Sequence, residues 1–158
     1  MPKTPIKYLV AIFAIFLTGT TVQADERYDP VRNQVVIDEC GACHMVFQPQ
    51  MLPKKSWVKI MNDLSDHFGE DASLDASSVK LITKYLQENS ADSGWRDGKF
   101  MRGLSKNSTP LRITKTPYWV REHNEEVPQR AWSDPKVKSR ANCPACHRRA
   151  NSGDYDDD

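Results

Sequence analysis

The sequence has little of what marks several specialised protein classes. Four cysteines in 158 residues are far fewer than in a small protein held together by disulfides. Seven glycines and ten prolines are too few for a collagen-like or low-complexity chain. The net charge of only +1 argues against a basic nucleic-acid-binding domain. No apolar run reaches the roughly 18–20 residues of a membrane-spanning helix, and the length suits about one domain.

Residues 1–24 have the pattern of a secretory signal peptide. Two lysines precede the apolar run Tyr8–Leu17, and Val22-Gln23-Ala24 is a small-residue cleavage site. An uncleaved N-terminal anchor is the alternative, but ten apolar residues are short for spanning a membrane. Cleavage would change the net charge from +1 to −1, because residues 1–24 contain two lysines and no acidic residue. We therefore expect a mature protein that starts at Asp25, works in the periplasm and is not held in a membrane.

Hydrophobic periodicity predicts a mostly α-helical mature chain. Asp29 and Pro30 predict the start of a helix that runs to Glu39. A second helix is expected from Pro53 to just before Gly69, because Trp57, Ile60, Leu64 and His67 have helical spacing.

The second half of the chain has weaker helical signals. Ala76 to about Asn89 is predicted to form a third helix that is capped by Asp75. Residues 90–116 are polar and rich in turn formers, which indicates a long loop, and Pro117 to about His123 is expected to form a short helix. The aspartates of residues 154–158 predict a disordered acidic tail.

All four cysteines belong to two copies of the pattern C-x-x-C-H. Cys40, Cys43 and His44 form the first copy, and residues Cys143, Cys146 and His147 form the second. This pattern is the attachment signature of c-type haem, in which two thiols form thioether bonds and the histidine ligates the iron. A zinc site would not require histidine after both pairs, and a thioredoxin-like site needs a βαβ pattern that is not found. Two short disulfides would explain neither histidine.

The number of histidines matches the number of axial positions on two haems. The chain has four histidines, and two of them, His67 and His123, lie outside the motifs. Both lie on predicted apolar faces, where a buried imidazole needs a partner such as a metal. We predict that they are the distal ligands. Methionine is the competing ligand type, and Met51, Met61 and Met101 are the candidates, with Met101 in the long loop as the one to test first.

Sequence distance favours one pairing of these histidines. His67 follows His44 by 23 residues, and His123 precedes His147 by 24 residues. Pairing within each half closes short loops, although crossed pairing stays open. All four tryptophans (Trp57, Trp95, Trp119 and Trp132) are expected to pack against haem or core.

At these residues the chain resembles the small periplasmic dihaem cytochrome c family. The first half also resembles a class I cytochrome c, with a helix before C-x-x-C-H and a later helix at Val79–Leu86, but it has His67 where a later methionine ligand is expected. Besides the two motifs, the resemblance is carried by Leu52-Pro53 with Trp57, by residues 67–74 (HFGEDASL), by residues 114–123 (TKTPYWVREH) and by residues 137–147 (VKSRANCPACH).

The resemblance implies a mostly helical fold of two small haem-binding parts joined by long irregular loops. We expect the parts to span residues 25–92 and 93–153. It also implies bis-histidine, low-spin irons and a role as a non-enzymatic electron carrier. The implied redox partners are a small monohaem cytochrome and a membrane b-type cytochrome. The alternative is a small haem enzyme or ligand sensor, which needs one displaceable distal ligand.

Basic residues cluster around the second motif. Lys136, Lys138, Arg140, Arg148 and Arg149 lie within about a dozen positions of each other. They are expected either to neutralise haem propionates on a solvated face or to dock an acidic redox partner.

Overall fold

The computed structural model describes residues 26–156, and within this range it is mostly helical. The described residues form four α-helices, and their extended backbone contributes only two isolated bridges, Arg27 with Asp154 and His67 with Glu70. The helices are α1 (Gln34–Cys40), α2 (Lys54–Met61), α3 (Ala76–Glu88) and α4 (Pro117–Glu126). Short 3-10 helices lie at Pro49–Met51, Leu64–Asp66, Lys99–Met101, Ile113–Lys115, Gln129–Ser133, Cys143–Ala145 and Ala150–Ser152. The predicted signal peptide lies outside the described residues.

Two of the four helices agree closely with the sequence patterns. Helix α3 begins after Asp75, whose side chain accepts hydrogen bonds from the backbone N–H groups of Ser77 and Ser78. Helix α4 has Pro117 at its first position, and the Thr116 side chain accepts from the backbone N–H of Trp119. Both helices thus begin at a local capping residue, and such residues can be recognised from the sequence.

The predicted start of the first helix at Asp29 and Pro30 is wrong. The backbone N–H of Tyr28 donates to the carbonyl of Gly153 at 2.8 Å, and this contact between the chain ends keeps residues 26–30 out of a helix. Helix α1 begins only after Asn33, whose side chain accepts from the Val36 N–H at 3.3 Å. A long-range contact thus overrides a local capping signal.

The second predicted helix is too long, and His67 does not lie on it. Helix α2 ends at Met61, and the chain then turns through a 3-10 helix at Leu64–Asp66. The backbone N–H of Ala72 donates to the Leu64 carbonyl at 2.8 Å, so the segment between them folds back as a loop. His67 lies within this loop rather than on the apolar stripe of a helix.

The first of two hydrophobic clusters packs α1, α2 and α3 together. Its buried residues are Val36, Leu52, Trp57, Met61, Ile82 and Leu86. The indole Nε1 of Trp57 donates to the Pro49 carbonyl at 2.8 Å, so this tryptophan fills the core with its polar atom satisfied.

The second cluster is assembled from distant parts of the chain. It contains Met51, Ala91, Phe100, Tyr118 and Trp119 as buried residues. The predicted loop over residues 90–116 is largely irregular, as expected, but Phe100 anchors it in this core. Ala91 and Phe100 lie on opposite sides of the predicted division at residues 92 and 93, and the position of that boundary stays a prediction.

The side chain of Gln48 joins the first half of the chain to its end. This residue is completely buried. Its Nε2 donates to the Ala150 carbonyl at 2.9 Å, and its Oε1 accepts from the Tyr155 hydroxyl at 2.6 Å. Both amide atoms are therefore satisfied by residues that follow the second C-x-x-C-H motif.

The prediction of a disordered acidic tail is wrong for residues 154–156. The Asp156 carboxylate accepts from the Glu26 backbone N–H at 2.9 Å and from Arg27 Nε at 3.1 Å. Asp154 lies 3.0 Å from Arg149 Nε. Gly153, with φ of 81°, permits the close approach of the two ends, because a side chain there would collide with the Tyr28 carbonyl.

Two further expectations concern the surface. Trp95 was expected to pack against haem or core, and at 85% exposure it does not pack into the protein core. The Arg96 guanidinium covers the Trp95 ring at 4.0 Å from its centroid. Over residues 26–156, the structure contains no helix with the length and apolar character needed to cross a membrane.

Candidate cofactor sites

The first C-x-x-C-H motif begins at the C-terminal end of α1. Cys40 is the last residue of this helix, and the Gly41 N–H donates to the Ile37 carbonyl at 3.0 Å. A side chain at position 41 would collide with that carbonyl, so the tight exit requires glycine. The exit leaves Cys43 and His44 exposed at the surface.

One ring nitrogen of His44 is committed to a backbone contact. The Nδ1 atom lies 2.7 Å from the Met45 carbonyl oxygen. Because a carbonyl can only accept, Nδ1 carries the proton and Nε2 is left with a free lone pair. Metal-ligating histidines are commonly oriented by such a contact of their other nitrogen.

His67 is held in a tight turn. Its backbone N–H donates to the Glu70 carbonyl at 2.7 Å, and the Gly69 N–H donates to the Asp66 side chain at 2.9 Å. Phe68 has φ of 60° and Gly69 has φ of 104°, so both lie in the left-handed region. A non-glycine residue there costs roughly 1–3 kcal/mol. The turn therefore fixes His67 at the expense of backbone strain.

This turn brings His67 to His44. The centroids of the two imidazole rings lie 6.2 Å apart and their planes differ by 22°. The Phe47 ring lies 5.2 Å from His44, and Phe68 meets His67 edge-on at 4.8 Å. The Arg112 guanidinium covers Phe68 at 4.1 Å. The sequence patterns assigned no role to Phe68 or Arg112, because their role depends on the turn and on a contact between distant residues.

The second motif folds as a single 3-10 turn, with Pro144 at its start. The Cys143 carbonyl accepts from the Cys146 N–H at 3.1 Å and from the His147 N–H at 2.8 Å. Cys143 is half-buried and Cys146 is exposed. The turn thus directs the end of the motif toward α4.

Helix α4 supplies His123, which is enclosed by two tryptophans. Its Nδ1 donates to the Trp119 carbonyl one turn earlier, at 2.9 Å. The Trp119 ring stacks on the imidazole with 3.9 Å between centroids and 16° between planes. The ring centroid of Trp132 lies 5.9 Å from that of the same imidazole. His123 therefore has the same free Nε2 as His44.

His123 and His147 face each other across a cavity of about 350 Å³. Their ring centroids lie 6.2 Å apart and their planes differ by 79°. The cavity lining includes both cysteines of the second motif, Met51, Trp119, Trp132 and Arg140, and also Glu26, Tyr28, Tyr118 and Tyr155. No sequence pattern indicated Glu26, Tyr28 or Tyr155, because the chain ends meet only in the folded protein.

Burial favours the neutral form of two of the histidines. Burial lowers the pKa of His67, and the neighbouring His44 and Arg112 lower it further. Burial also lowers the pKa of His123, and His147 acts in the same direction, although the hydrogen bond to Trp119 opposes them. Neutral imidazole is the form that binds metals.

No disulfide joins the four cysteines, all of which lie within residues 26–156, and two of them have raised pKa values. Burial raises the pKa of Cys143 to about 11, and burial with the nearby Glu39 raises that of Cys40. Protonated thiols are less readily oxidised than thiolates. The two-disulfide interpretation is therefore not the arrangement that the structure contains.

The geometry of both histidine pairs fits a metal between them. With metal–nitrogen bonds of about 2 Å, two imidazoles on opposite sides of one metal have ring centres about 6.3 Å apart. Both pairs have 6.2 Å. Each pair adjoins its own C-x-x-C segment, as two covalently attached haems require. Among residues 26–156, no group of three or more His, Cys, Asp or Glu side chains is arranged to hold a bare metal ion, as the zinc interpretation would need.

The three candidate methionines lie in or against the hydrophobic clusters. Met61 is buried in the first cluster, and Met101 packs against the second. Met51 is buried in the second cluster and also lines the cavity between His123 and His147.

Comparisons with known proteins agree with this architecture. Residues 36–155 match the model of the family described as dihaem cytochrome c. A diheme cytochrome c from Rhodobacter sphaeroides is 43% identical, with a TM-score of 0.76, and the match covers 80% of this chain and 99% of that one. A second Rhodobacter sphaeroides structure, described as DHC, is 41% identical over 79% of this chain and 98% of that chain, with a TM-score of 0.67.

A more distant structure has the same fold. The diheme cytochrome type c from Shewanella baltica OS155 is 32% identical over 78% of this chain and 87% of that chain, with a TM-score of 0.64. No curated protein sequence matches the chain significantly. The mostly helical fold and the two C-x-x-C-H motifs are thus those of known proteins, and the chain belongs to the dihaem cytochrome c family and binds two c-type haems.

Proposed function

We propose that this protein is a periplasmic electron carrier in which both haem irons are low-spin and have two histidine ligands. His44 and His67 would hold one iron, and His123 and His147 would hold the other. The observation that carries the proposal is the 6.2 Å spacing of both histidine pairs. The same spacing favours pairing within each half of the chain over crossed pairing.

The protein residues prepare each histidine as a ligand. The carbonyls of Met45 and Trp119 accept from Nδ1 of His44 and His123, so Nε2 of each ring keeps the lone pair that would bind the iron. Burial favours the neutral imidazole at His67 and His123. A ligand that is already oriented and neutral needs little rearrangement when the iron changes its charge.

Each haem iron, when bound, supplies the chemistry by accepting one electron in the ferric state and releasing it from the ferrous state. With four histidines on four axial positions, no coordination position would be left for a substrate. The protein would then pass single electrons between partners and would make or break no bonds. The enzyme or sensor alternative requires one of the distal ligands, His67 or His123, to leave its iron.

The setting and partners of this activity belong to the same proposal. The expected signal peptide and covalent haem attachment support a periplasmic location. We propose a small monohaem cytochrome and a membrane b-type cytochrome as redox partners. Lys136, Lys138, Arg140 and Arg148 are exposed around the second motif, and they would attract an acidic redox protein to that side of the molecule.

The visible spectrum of the ferrous holoprotein, with and without carbon monoxide, tests the ligation. If both irons keep two histidine ligands, carbon monoxide leaves the spectrum unchanged. A shift in half of the absorbance would mean that one site opens, and the enzyme or sensor function would replace the electron-carrier function.

Two variants calibrate this experiment. His67→Ala and His123→Ala should each open one iron, so that carbon monoxide shifts about half of the haem absorbance, as expected when one of two sites loses a distal ligand. If a variant instead binds no more carbon monoxide than the wild type, the substituted histidine is not a ligand and the proposed pairing is wrong.

A further inference from the structure

The two histidine pairs have the same spacing but different orientations. The ring planes of His44 and His67 differ by 22°, so these imidazoles are nearly parallel. The ring planes of His123 and His147 differ by 79°, so these are nearly perpendicular. The two sites therefore share their ligand type and differ in the angle between the ligands.

The plane of His123 is fixed by two independent contacts with Trp119. The hydrogen bond from Nδ1 to the Trp119 carbonyl restricts rotation about the side-chain bonds. The indole face lies almost parallel to the imidazole at 3.9 Å between centroids and 16° between planes, so a rotation of the imidazole would break the stack. Trp119 is itself buried in the second cluster and cannot follow such a rotation.

Among residues 26–156, no ring stacks on His44 or His67 as closely as Trp119 stacks on His123. Phe47 lies 5.2 Å from His44 at 38°, and Phe68 meets His67 edge-on at 61°. His67 owes its position to the strained turn at Phe68 and Gly69 rather than to a flat neighbour. The orientation of the imidazoles is thus set by different means at the two sites.

We propose that Trp119 is a positioning residue that holds His123 perpendicular to His147 and thereby makes the second haem electronically distinct from the first. This inference rests on the proposed bis-histidine ligation. Each imidazole donates electron density into the iron d orbital that its plane selects. Parallel planes select the same orbital and separate two d levels. Perpendicular planes select different orbitals and leave those levels nearly equal in energy.

Low-temperature electron paramagnetic resonance of the fully oxidised holoprotein tests the proposal. The first haem should give a rhombic low-spin spectrum with all g values resolved. The second should give a single, strongly anisotropic feature at lower field. Two rhombic low-spin signals would overturn the inference and leave the proposed function intact. A high-spin signal would instead show that the bis-histidine ligation itself is wrong.

Substitutions at Trp119 test which residue sets the angle. Trp119→Leu keeps the backbone carbonyl and removes the flat face, so the low-field feature should be lost or should move toward the rhombic signal. Trp119→Phe retains an aromatic face and should restore the feature. Trp95→Leu is the matched control, because Trp95 is 85% exposed and should leave both signals unchanged.

The rhombic signal of the first haem shows whether a substitution at Trp119 has disturbed the whole protein or only the second site. If Trp119→Leu yields no holoprotein, Trp119→Met fills more of the buried volume without a flat ring, and the same loss is expected. A variant that keeps the rhombic signal of the first haem and loses only the low-field feature supports the proposal. Retention of the low-field feature in either variant would overturn the role of Trp119.

Discussion

Gln48 offers a test of how the end of the chain is held onto the first half. Its side chain is completely buried and bonds the Ala150 carbonyl at 2.9 Å and the Tyr155 hydroxyl at 2.6 Å. The Ala150 N–H in turn donates to the His147 carbonyl at 3.0 Å. Replacing Gln48 with leucine would remove both side-chain bonds next to the second C-x-x-C-H motif.

The loss of stability can be calculated from the two groups that would lose a hydrogen bond to Gln48. The Ala150 carbonyl would keep its hydrogen bond from the Gly153 N–H at 2.9 Å and lose only the one from Gln48, at a cost of about 0.5–1.5 kcal/mol. The Tyr155 hydroxyl would lose its bond from a half-buried position, at a cost of roughly 1 kcal/mol. We therefore expect Gln48→Leu to lower the free energy of unfolding by about 1.5–2.5 kcal/mol, which is a fall in Tm of roughly 4–12 °C for a protein of this size.

Thermal unfolding of the oxidised holoprotein, followed by circular dichroism, measures this effect. Gln129→Leu is the control, because Gln129 is exposed and such a change should stay within about 0.5 kcal/mol of the wild type. If Gln48→Leu unfolds at the same temperature as Gln129→Leu, the reasoning is refuted, since the two hydrogen bonds of Gln48 would then contribute nothing measurable to stability.

Three further predictions address the docking face, the first haem and a helix cap. The double substitution Lys136→Glu with Lys138→Glu should slow electron transfer to an acidic redox protein at low ionic strength, and in high salt its rate should approach that of the wild type. The control Lys80→Glu, on an exposed residue of α3, should have little effect on the rate. Electron-transfer rates that do not depend on ionic strength would exclude docking by charge. His67→Met should raise the midpoint potential of one haem in a redox titration, since methionine in place of histidine raises potentials, and an unchanged pair of potentials would argue against His67 as a ligand. Hydrogen bonds from two serines hold the pKa of Asp75 well below its ordinary 3.8, so its stabilising effect is present near neutral pH and is lost as the pH falls into the acid range. Asp75→Ala should therefore lower Tm at pH 7 and have little effect in strong acid; an equal decrease in Tm at both pH values would contradict this.

Features that depend on short stretches of sequence were predictable. The two C-x-x-C-H motifs indicated the cofactor because the chemistry needs its residues at fixed spacing. Helix α3 and its Asp75 cap were predicted because the capping bonds reach only three residues. The assignment of His67 and His123 as distal ligands came from counting histidines, and the structure brings each of them to the histidine expected from the chain distance.

Features that depend on distant contacts were not predictable. The signal at Asp29 and Pro30 was overridden by the bond between Tyr28 and Gly153, two residues separated by most of the chain. The helical stripe toward His67 failed because the chain leaves the helix after Met61 and returns through Ala72. Periodicity records which residues are apolar, but it does not record where a tight turn interrupts the helix.

The meeting of the chain ends beside the second haem has a consequence for the order of maturation. The core around His44 and His67 is built mainly from residues 36–86 and can close once that much of the chain is available to fold. The wall around His147 needs Glu26 and Tyr28 and also Tyr155, from the opposite end of the described residues. The second haem pocket is thus completed only after the first, and a chain truncated before residue 150 would carry a finished first site beside an open second one.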